Sequence, residues 1–224
     1  MDGNGRWATQ RGLSRSQGHK AGTETAKATV TACRELGIRH LTLYTFSREN
    51  WSRPADEIRT LFDLLVQFLR KELPSLMEQN IRMHVFGELA EMPLAVRKVL
   101  QHAMKKTAGF DAMHLNLALN YSGRAELVRA CRELVREGLD PADVTEEALS
   151  SRLYSAGQPD PDLIIRTSGE LRISNFLLFQ AAYSEFYFTE TLWPDFDQNE
   201  LQRALEAYRN RQRRFGQTGE QSRP

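Results

Sequence analysis

The first eight residues of the chain bring together groups that bind a metal-neutralised phosphate. Asp2 supplies a carboxylate of the kind that holds Mg²⁺. Gly3 and Gly5 let backbone N–H groups approach an anion closely, and Arg6 can grip phosphate oxygens in bidentate fashion. Taken alone, Asp-Gly-Asn-Gly is equally typical of a tight turn ahead of a helix. The octet therefore indicates either an anion site or a simple turn.

The elements that must position these residues follow an alternating order. Four short apolar runs predict strands at 41–46, 83–86, 115–119 and 163–165. Longer periodic patterns predict helices at 20–36, 55–80, 94–108, 124–137, 145–153 and 199–214. Such alternation favours an α/β fold, in which helices flank a mostly parallel sheet.

Polar side chains follow each predicted strand. They are Thr45 and Ser47, Gly87, Asn120 and Tyr121, and Arg166 and Thr167. Open parallel sheets bind ligands at the carboxyl ends of their strands, so we expect these residues to border a site. Arg166 and Arg172 fit a strand end and a loop that face one anion. Ion pairing of these arginines with Glu170 is the alternative.

Composition narrows the class of protein. The chain has 224 residues, of which 41% are hydrophobic and 26% charged, as is ordinary for a soluble globular protein. A formal net charge of +1 argues against a nucleic acid as the partner. Cys33 and Cys131 lack metal-ligand spacing, so buried, reduced thiols and a cytoplasmic location are expected. No apolar run approaches the roughly 20 residues of a membrane span, and no signal peptide is visible.

Longer sequence blocks favour anion binding over a simple turn at residues 1–8 and over ion pairing of Arg166 and Arg172. They are Met1 to Ala8, Gly18-His19-Lys20, Phe46 to Pro54, and Arg166 to Phe176. Together they resemble the motifs of the cis-prenyltransferases, the undecaprenyl diphosphate synthase family, in that family's order and spacing over nearly the full chain. The resemblance implies one domain over residues 1–216 with a hydrophobic tunnel beside the sheet, and a disordered tail at 217–224. In the family a strand precedes the first block, and this chain starts without it.

The resemblance assigns a first diphosphate site and a metal. The pocket for the allylic diphosphate comprises Gly3, Asn4, Gly5, Arg6, Trp7, Arg15 and His19. Asp2 is implied to be catalytic and to hold Mg²⁺, with Glu185 also associated with the metal. Without the resemblance, Arg15 is typical of a solvated face and His19 of a capping or core histidine.

The resemblance also assigns a second diphosphate site and a flap. Arg166, Arg172 and Ser174 are implied to hold isopentenyl diphosphate. The segment after the first strand is implied to order over the substrate, through Ser47, Glu49, Asn50, Trp51 and Arg53. Asn50 is expected to be catalytic, by hydrogen-bonding a diphosphate or helping to relay a proton. Trp51 fits a core anchor for the next helix equally well.

The implied activity is prenyl transfer. Isopentenyl diphosphate would add repeatedly to an allylic diphosphate, such as farnesyl diphosphate, to give a long Z-polyprenyl diphosphate such as the undecaprenyl carrier of cell-wall synthesis. Apolar residues of the 55–80 helix, with Leu43, Met83, Val85 and Leu117, are expected to line the tunnel, although most such stripes are simply core. The aromatic stretch 183–196 is expected to form a homodimer surface, and peripheral contact with the inner membrane face would serve product release.

Other functions remain as alternatives. They are a synthase of short or medium chains, a noncatalytic subunit of a heteromeric prenyltransferase, and a phosphatase or nucleotide-binding enzyme. Asp2 and Arg6 argue against the noncatalytic subunit, and the chain lacks the glycine motifs of nucleotide sites. Two positions depart from the family pattern. Leu171 stands where bacterial relatives often have histidine, and Gln217 replaces the final glycine of Arg-Arg-Phe-Gly-Gly.

Overall fold

The structure, a computed structural model, describes residues 1–211. Within that range the chain alternates helices and strands. The helices are α1 (Asn4–Gln10), α2 (Arg15–Glu35), α3 (Ala55–Glu78), α4 (Leu94–Thr107), α5 (Gly123–Arg136), α6 (Glu146–Ser150) and α7 (Gln198–Arg209). The strands are β1 (His40–Ser47), β2 (Ile81–Phe86), β3 (Met113–Tyr121), β4 (Leu163–Arg166) and β5 (Glu185–Phe188).

The parallel sheet is divided into two pieces. One piece has the order β1-β3-β2, and the other pairs β4 with β5. Every pairing is parallel; Leu115, for example, lies opposite Leu41 on one side and Met83 on the other. Among the described residues no sheet pairing joins β1 to β4, and both strands line one large cavity. Two strand edges therefore border this cavity.

One face of the three-stranded piece forms the main core. Its side chains pack with apolar residues of α2, α3 and α4 in one cluster. In α3 the buried positions recur every three or four residues, which places them on one side of the helix. These positions are Phe62, Leu65, Leu69, Glu72 and Leu76. Packing this side against the sheet fixes the start of α3 and the segment that leads into it.

The structure confirms the α/β fold class, with differences at individual elements. The strand β5 was not predicted, because its residues were assigned only to an aromatic surface. Helix α2 begins at Arg15 and not at 20, because Ser14 and Gln17 form a capping box there. Helix α7 ends at Arg209, before the predicted position 214. The predicted boundary at 216 and the predicted tail lie outside the described residues.

The predictions about the two cysteines and about membrane-spanning segments can be compared with the fold. Both cysteines are free, but only Cys33 is buried; Cys131 is exposed on α5, because Ala130 and Leu134 occupy the buried side of that helix. Burial raises the pKa of the Cys33 thiol to about 12. No helix among residues 1–211 is long and apolar enough to cross a membrane.

The other face of the three-stranded piece carries three histidines. His40 lies opposite His114, with ring centroids 4.8 Å apart, and His84 stacks on His114 at 5.1 Å. Nε2 of His84 lies 3.0 Å from Nδ1 of His114, so one of the two rings must be neutral to accept the hydrogen bond. Burial and the charges of His114, Arg82 and His40 lower the pKa of His84 to about 4. Burial, His40 and Arg82 also lower the pKa of His114.

We predict that this histidine cluster makes the fold sensitive to mild acid. A histidine whose pKa lies below its unfolded value of about 6.5 takes up a proton on unfolding. The free energy of unfolding should therefore fall as the pH drops from about 6.5 toward 4, by up to ~1.4 kcal/mol per pH unit for each proton. His84→Gln should flatten this slope in urea unfolding measured across that window.

His102→Gln is the matched control, because His102 is exposed on α4 and lies outside the cluster. The prediction is wrong if His84→Gln keeps the slope of the parent chain.

Candidate active site

The backbone of Asp2 is fixed at the end of β4. Its N–H donates to the Thr167 hydroxyl at 2.9 Å, and its carbonyl oxygen accepts a hydrogen bond from the same hydroxyl at 2.8 Å. The N–H of Trp193 also donates to this carbonyl oxygen at 2.9 Å. The first motif and the end of β4 therefore meet, although they lie far apart in the sequence, and this contact was not predicted.

The glycine-rich motif forms a left-handed turn at Gly3 and the start of a helix. Gly3 has a φ of +107°, and a Cβ there would lie 2.9 Å from the Leu192 side chain, so this position requires glycine. Helix α1 begins at Asn4 and includes Gly5. The N–H groups of its first turn, including that of Arg6, have no carbonyl partner within the helix and can face an anion.

The Asp2 carboxylate is held between positive groups. Oδ1 accepts from the Gly3 N–H at 2.7 Å, and Oδ2 accepts from Arg166 Nη2 at 3.0 Å. Arg6 Nη2 lies 4.0 Å from Oδ1. Burial opposes ionisation of Asp2, but the Arg166 guanidinium and the Gly3 N–H outweigh it and hold the pKa of the carboxyl below its usual range. Asp2 is therefore ionised at neutral pH. Its side chain is 42% exposed.

The predicted second site is assembled around Arg166. Nη1 of Arg166 donates to Ser174 Oγ at 2.7 Å and also to the carbonyl oxygen of Arg172. The Arg172 side chain is 61% exposed and pairs with Glu170. This is the ion pair that the sequence left open as the alternative. The structure thus brings the three predicted residues together.

Glu170 connects the two predicted sites. One of its oxygens lies 3.2 Å from Arg6 Nη2, and the other pairs with Arg172. Arg6 also donates to Ser168 Oγ at 2.5 Å. The contact with Arg6 was not predicted, because nothing in the spacing of residues 6 and 170 indicates that they meet.

Glu57 is a functional candidate that the sequence reasoning missed. It lies in the first turn of α3, and its side chain is only 11% exposed. Oε2 lies 3.2 Å from Arg15 Nη1, while Oε1 lies 3.2 Å from Arg53 Nη1 and 3.4 Å from His19 Nε2. One carboxylate thus collects three predicted substrate-binding groups. The available signal was the spacing of four residues between Arg53 and Glu57 on a helix start.

The segment after β1 folds as a short 3₁₀ turn, Arg48–Ser52. Asn50 Oδ1 accepts from the Ser47 N–H at 3.0 Å. Trp51 packs edge-on against Phe46 and donates its indole N–H to Asn120 at 2.8 Å, which supports the core-anchor alternative. This segment, residues 47–53, ends beside Glu57 through Arg53.

Two residues predicted to bind substrate make structural contacts. The Asn4 side chain lies against α2, where a Cβ on Gly22 would meet its amide oxygen at 2.1 Å. Trp7 Nε1 donates to Asp195 at 2.6 Å, and the Arg11 guanidinium lies 4.4 Å from the centroid of its ring. Their roles toward substrate stay predictions.

Glu185 lies apart from Asp2 within the chain. It begins β5 opposite Leu163, whereas Arg166, the partner of Asp2, lies opposite Phe188. This separation corresponds to about 10 Å along the strands. The Glu185 carboxylate pairs with Arg211 at 2.6 Å. A metal environment shared with Asp2 would therefore have to form between subunits.

The aromatic stretch contributes less surface than predicted. Trp193 and Phe196 are each 5% exposed and belong to the chain's own core, so they are not available to a second copy. Tyr183 is 72% exposed.

A cavity of about 1190 Å³ opens from these charged groups into the interior. Asp2, Arg15 and Arg166 line its polar end. Apolar side chains of β1, β3 and α3 form one wall, among them Leu43, Leu61, Leu64, Leu117 and Phe68, and polar groups such as Asn116, Gln158 and Asp160 line another part. A ligand with an anionic head and a hydrocarbon tail can contact both the charged end and this apolar wall.

Comparison with known proteins identifies the family. A family model described as putative undecaprenyl diphosphate synthase matches residues 1–216. The chain belongs to this family. It is accordingly a prenyltransferase. An isoprenyl transferase of Clostridium tetani is 50% identical over 96% of this chain and 86% of its own length, and one of Chlorobaculum tepidum is 50% identical over 99% and 85%.

Solved structures agree with this membership. The lavandulyl diphosphate synthase of Lavandula x intermedia, in complex with dimethylallyl diphosphate, superposes with a TM-score of 0.94 at 35% identity, covering 97% of this chain and 95% of that one. A probable undecaprenyl diphosphate synthase of Campylobacter jejuni gives 0.79 at 36% identity, covering 88% and 92%. The parallel sheet flanked by helices is thus the fold of the cis-prenyltransferases.

We predict that Glu57 raises the pKa of His19 in this prenyltransferase. Burial lowers the pKa of His19, the hydrogen bond and charge of Glu57 oppose that effect, and Arg53 and Arg15 add to it; the net shift is downward. Glu57→Gln removes the opposing charge, so the His19 pKa should fall further below its ordinary value. An NMR titration of the imidazole ring protons measures it.

Asp56→Asn is the matched control, since Asp56 is an exposed carboxylate in the same turn of α3. An equal fall in both variants, or no fall in Glu57→Gln, would show that Glu57 does not act on His19.

Proposed function

We propose that this chain condenses isopentenyl diphosphate repeatedly onto an allylic diphosphate, farnesyl diphosphate, to give a long Z-polyprenyl diphosphate such as undecaprenyl diphosphate. The observation that carries this proposal is that two cationic clusters, which meet at Asp2, lie beside a large cavity with an apolar wall. Two diphosphates need the clusters, and a growing hydrocarbon needs the cavity. The product would serve as a lipid carrier for cell-wall synthesis.

The allylic diphosphate would bind at the start of α1. The free N–H groups of the first helical turn and the Arg6 guanidinium are its donors, and Arg15 and His19 complete the pocket. Glu57 keeps Arg15 and His19 in place. A diphosphate carries more negative charge than one carboxylate, so it competes for the same cations.

Isopentenyl diphosphate would bind at the second cluster. Arg166 is 15% exposed and fixed by Asp2 and Ser174, so its guanidinium is already oriented. Arg172 is exposed, and the diphosphate would take it from Glu170. Arginine suits this task because its planar donors match two phosphate oxygens at once.

Mg²⁺ fits the chemistry of Asp2. Mg²⁺ is commonly held by one or two carboxylates together with substrate phosphates and water. Asp2 is ionised and partly exposed beside the proposed pocket, whereas no three His, Cys, Asp or Glu side chains among residues 1–211 could hold a metal by themselves. When bound, Mg²⁺ neutralises diphosphate charge. Glu185 would add to this environment only from the partner subunit of a homodimer.

The remaining residues would stabilise the charge that develops during the reaction and help to move a proton. A bond forms between isopentenyl diphosphate and C1 of the allylic substrate, the C1–O bond breaks, and pyrophosphate leaves with the electron pair. Arg6, Arg15 and the helix N–H groups stabilise the charge that grows on the leaving group. Asn50, oriented by its bond to the Ser47 N–H, donates to a diphosphate or helps to pass on the proton lost from isopentenyl diphosphate.

The relatives support the reaction class and leave product length to experiment. The Lavandula enzyme binds dimethylallyl diphosphate, which supports an allylic diphosphate as one substrate of this chain. The same likeness keeps a short-chain synthase as the second candidate.

Asp2 and Arg6 favour an active enzyme over a noncatalytic subunit. We also infer a cytoplasmic homodimer whose peripheral contact with the inner membrane face releases the product.

The direct test is chromatography of the products made from radiolabelled isopentenyl diphosphate and farnesyl diphosphate with Mg²⁺. We predict a ladder ending in a long polyprenyl diphosphate. Asp2→Ala should lower kcat by about 10³-fold, since a group that stabilises the reacting charge is lost.

Asp63→Ala, which removes an exposed carboxylate of α3, is the control and should keep the parent activity. Absence of any prenyl product, or turnover of Asp2→Ala within tenfold of the parent chain, would contradict the proposal.

Product length should depend on the apolar wall of the cavity. Leu64 faces the cavity from α3, so Leu64→Trp should shorten the product while the first condensations continue. Met77→Trp is the control on the same helix, at a side chain that is 37% exposed and not part of the cavity wall. An unchanged length distribution in a folded Leu64→Trp chain would mean that the cavity does not hold the product.

A further inference from the structure

Asn175 joins three parts of the chain through its amide side chain. Nδ2 donates to Glu49 Oε1 at 2.8 Å and to Ser122 Oγ at 2.8 Å. Oδ1 accepts from the Arg124 N–H in the first turn of α5 at 2.9 Å. The Asn175 carbonyl oxygen also accepts from the Gly123 N–H at 2.9 Å. The 47–53 segment, the end of β3 and the start of α5 thus meet at one residue.

The backbone at this point adopts an unusual conformation. Asn175 has a φ of 61°, and Ser174 before it has a φ of 49°. Non-glycine residues rarely adopt the left-handed region, and asparagine is among those that tolerate it best. Two such residues in succession need contacts that hold them, and the four hydrogen bonds of Asn175 supply these contacts.

The loop of Asn175 also belongs to the second diphosphate cluster. Ser174 Oγ accepts from Arg166, and the Ser174 carbonyl oxygen accepts from the Tyr44 hydroxyl at 3.4 Å. Tyr44 in turn stacks on Phe176 with ring centroids 4.5 Å apart. A shift of Asn175 would therefore move the side chain that orients Arg166.

On the other side, Asn175 holds Glu49. Burial opposes ionisation of the Glu49 carboxyl, but the hydrogen bond from Asn175 and further bonds from its own N–H and from Ser47 hold its pKa below the ordinary value. The contact therefore joins a neutral donor to an ionised acceptor, which is among the stronger types of hydrogen bond.

We propose that Asn175 is a positioning residue that ties the 47–53 segment to the Arg166–Ser174 loop, so that the two diphosphate sites become ordered together. The inference rests on the proposed function for the identity of the two ligands. The tie itself depends only on the contacts of Asn175. Occupation of the second cluster thereby holds the segment that contacts Arg15 and His19 of the first through Arg53 and Glu57.

Two substitutions separate this tie from a purely structural role. Asn175→Asp keeps an acceptor for the Arg124 N–H, places favourable negative charge at the start of α5, and suits the left-handed backbone. It replaces Nδ2, which donates to both Glu49 and Ser122, with a carboxylate oxygen; the contact with Glu49 is lost, whereas the Ser122 hydroxyl can donate to this oxygen in turn. Glu49→Gln combined with Asn175→Asp restores one hydrogen bond with donor and acceptor exchanged.

Hydrogen exchange of the 47–53 peptide measures the tie without any reaction. Asn175→Asp should raise its exchange roughly tenfold or more at an unchanged Tm, because a charge-assisted hydrogen bond is lost. The double variant should return toward the parent rate. Isopentenyl diphosphate alone should slow exchange of this peptide in the parent chain and in the double variant, but not in Asn175→Asp. In the steady state, Asn175→Asp should raise KM for both diphosphates.

Unchanged exchange in Asn175→Asp, or a double variant no better than Asn175→Asp, would overturn the proposal. A different outcome would separate the two claims. If Asn175→Asp raises exchange of the 47–53 peptide but the parent chain makes no prenyl product, the proposed function is overturned and the role of Asn175 is retained.

Discussion

The structure depends on placing many cationic side chains in a small volume beside an apolar cavity. Arg6, Arg15, Arg53, Arg166 and Arg172 would repel one another if each lacked a counter-charge. Three carboxylates, those of Asp2, Glu57 and Glu170, offset this repulsion and hold the guanidinium groups in fixed directions. On the proposed function, a diphosphate would replace these carboxylates as the partner of the guanidinium groups, which are already oriented before the ligand binds.

The fold supplies this arrangement through a few distant contacts. Thr167 at the end of β4 fixes the backbone of Asp2, and Gly3 turns the chain so that α1 starts beside Arg15 of α2. The apolar side of α3 packs on the sheet and carries Glu57 to the same place. The charged groups of the two clusters are thus at one end of the cavity, and apolar side chains of α3 and the sheet form one of its walls.

Much of the fold could be predicted from the sequence, since strands such as 115–119 and helices such as 94–108 carry their periodicity locally. Sequence blocks also placed Arg166, Arg172 and Ser174 in one cluster, whereas the pairing of Arg166 with Asp2 was not predicted. Glu57 and Asn175 were missed, because their importance comes from contacts between residues far apart in the sequence. The helix start at Asn4 was missed because glycine and asparagine favour turns locally, whereas packing of α1 against the glycines of α2 overrides that preference.

The central claim is that two diphosphates bind at once, on separate clusters that share Asp2. Equilibrium dialysis with labelled isopentenyl diphosphate and a thiodiphosphate analogue of farnesyl diphosphate, which binds without reacting, measures this most directly. The account predicts that each chain binds one of each ligand at the same time, and that Arg172→Ala weakens isopentenyl diphosphate far more than the analogue. Mutual displacement of the two ligands from a single site would contradict it.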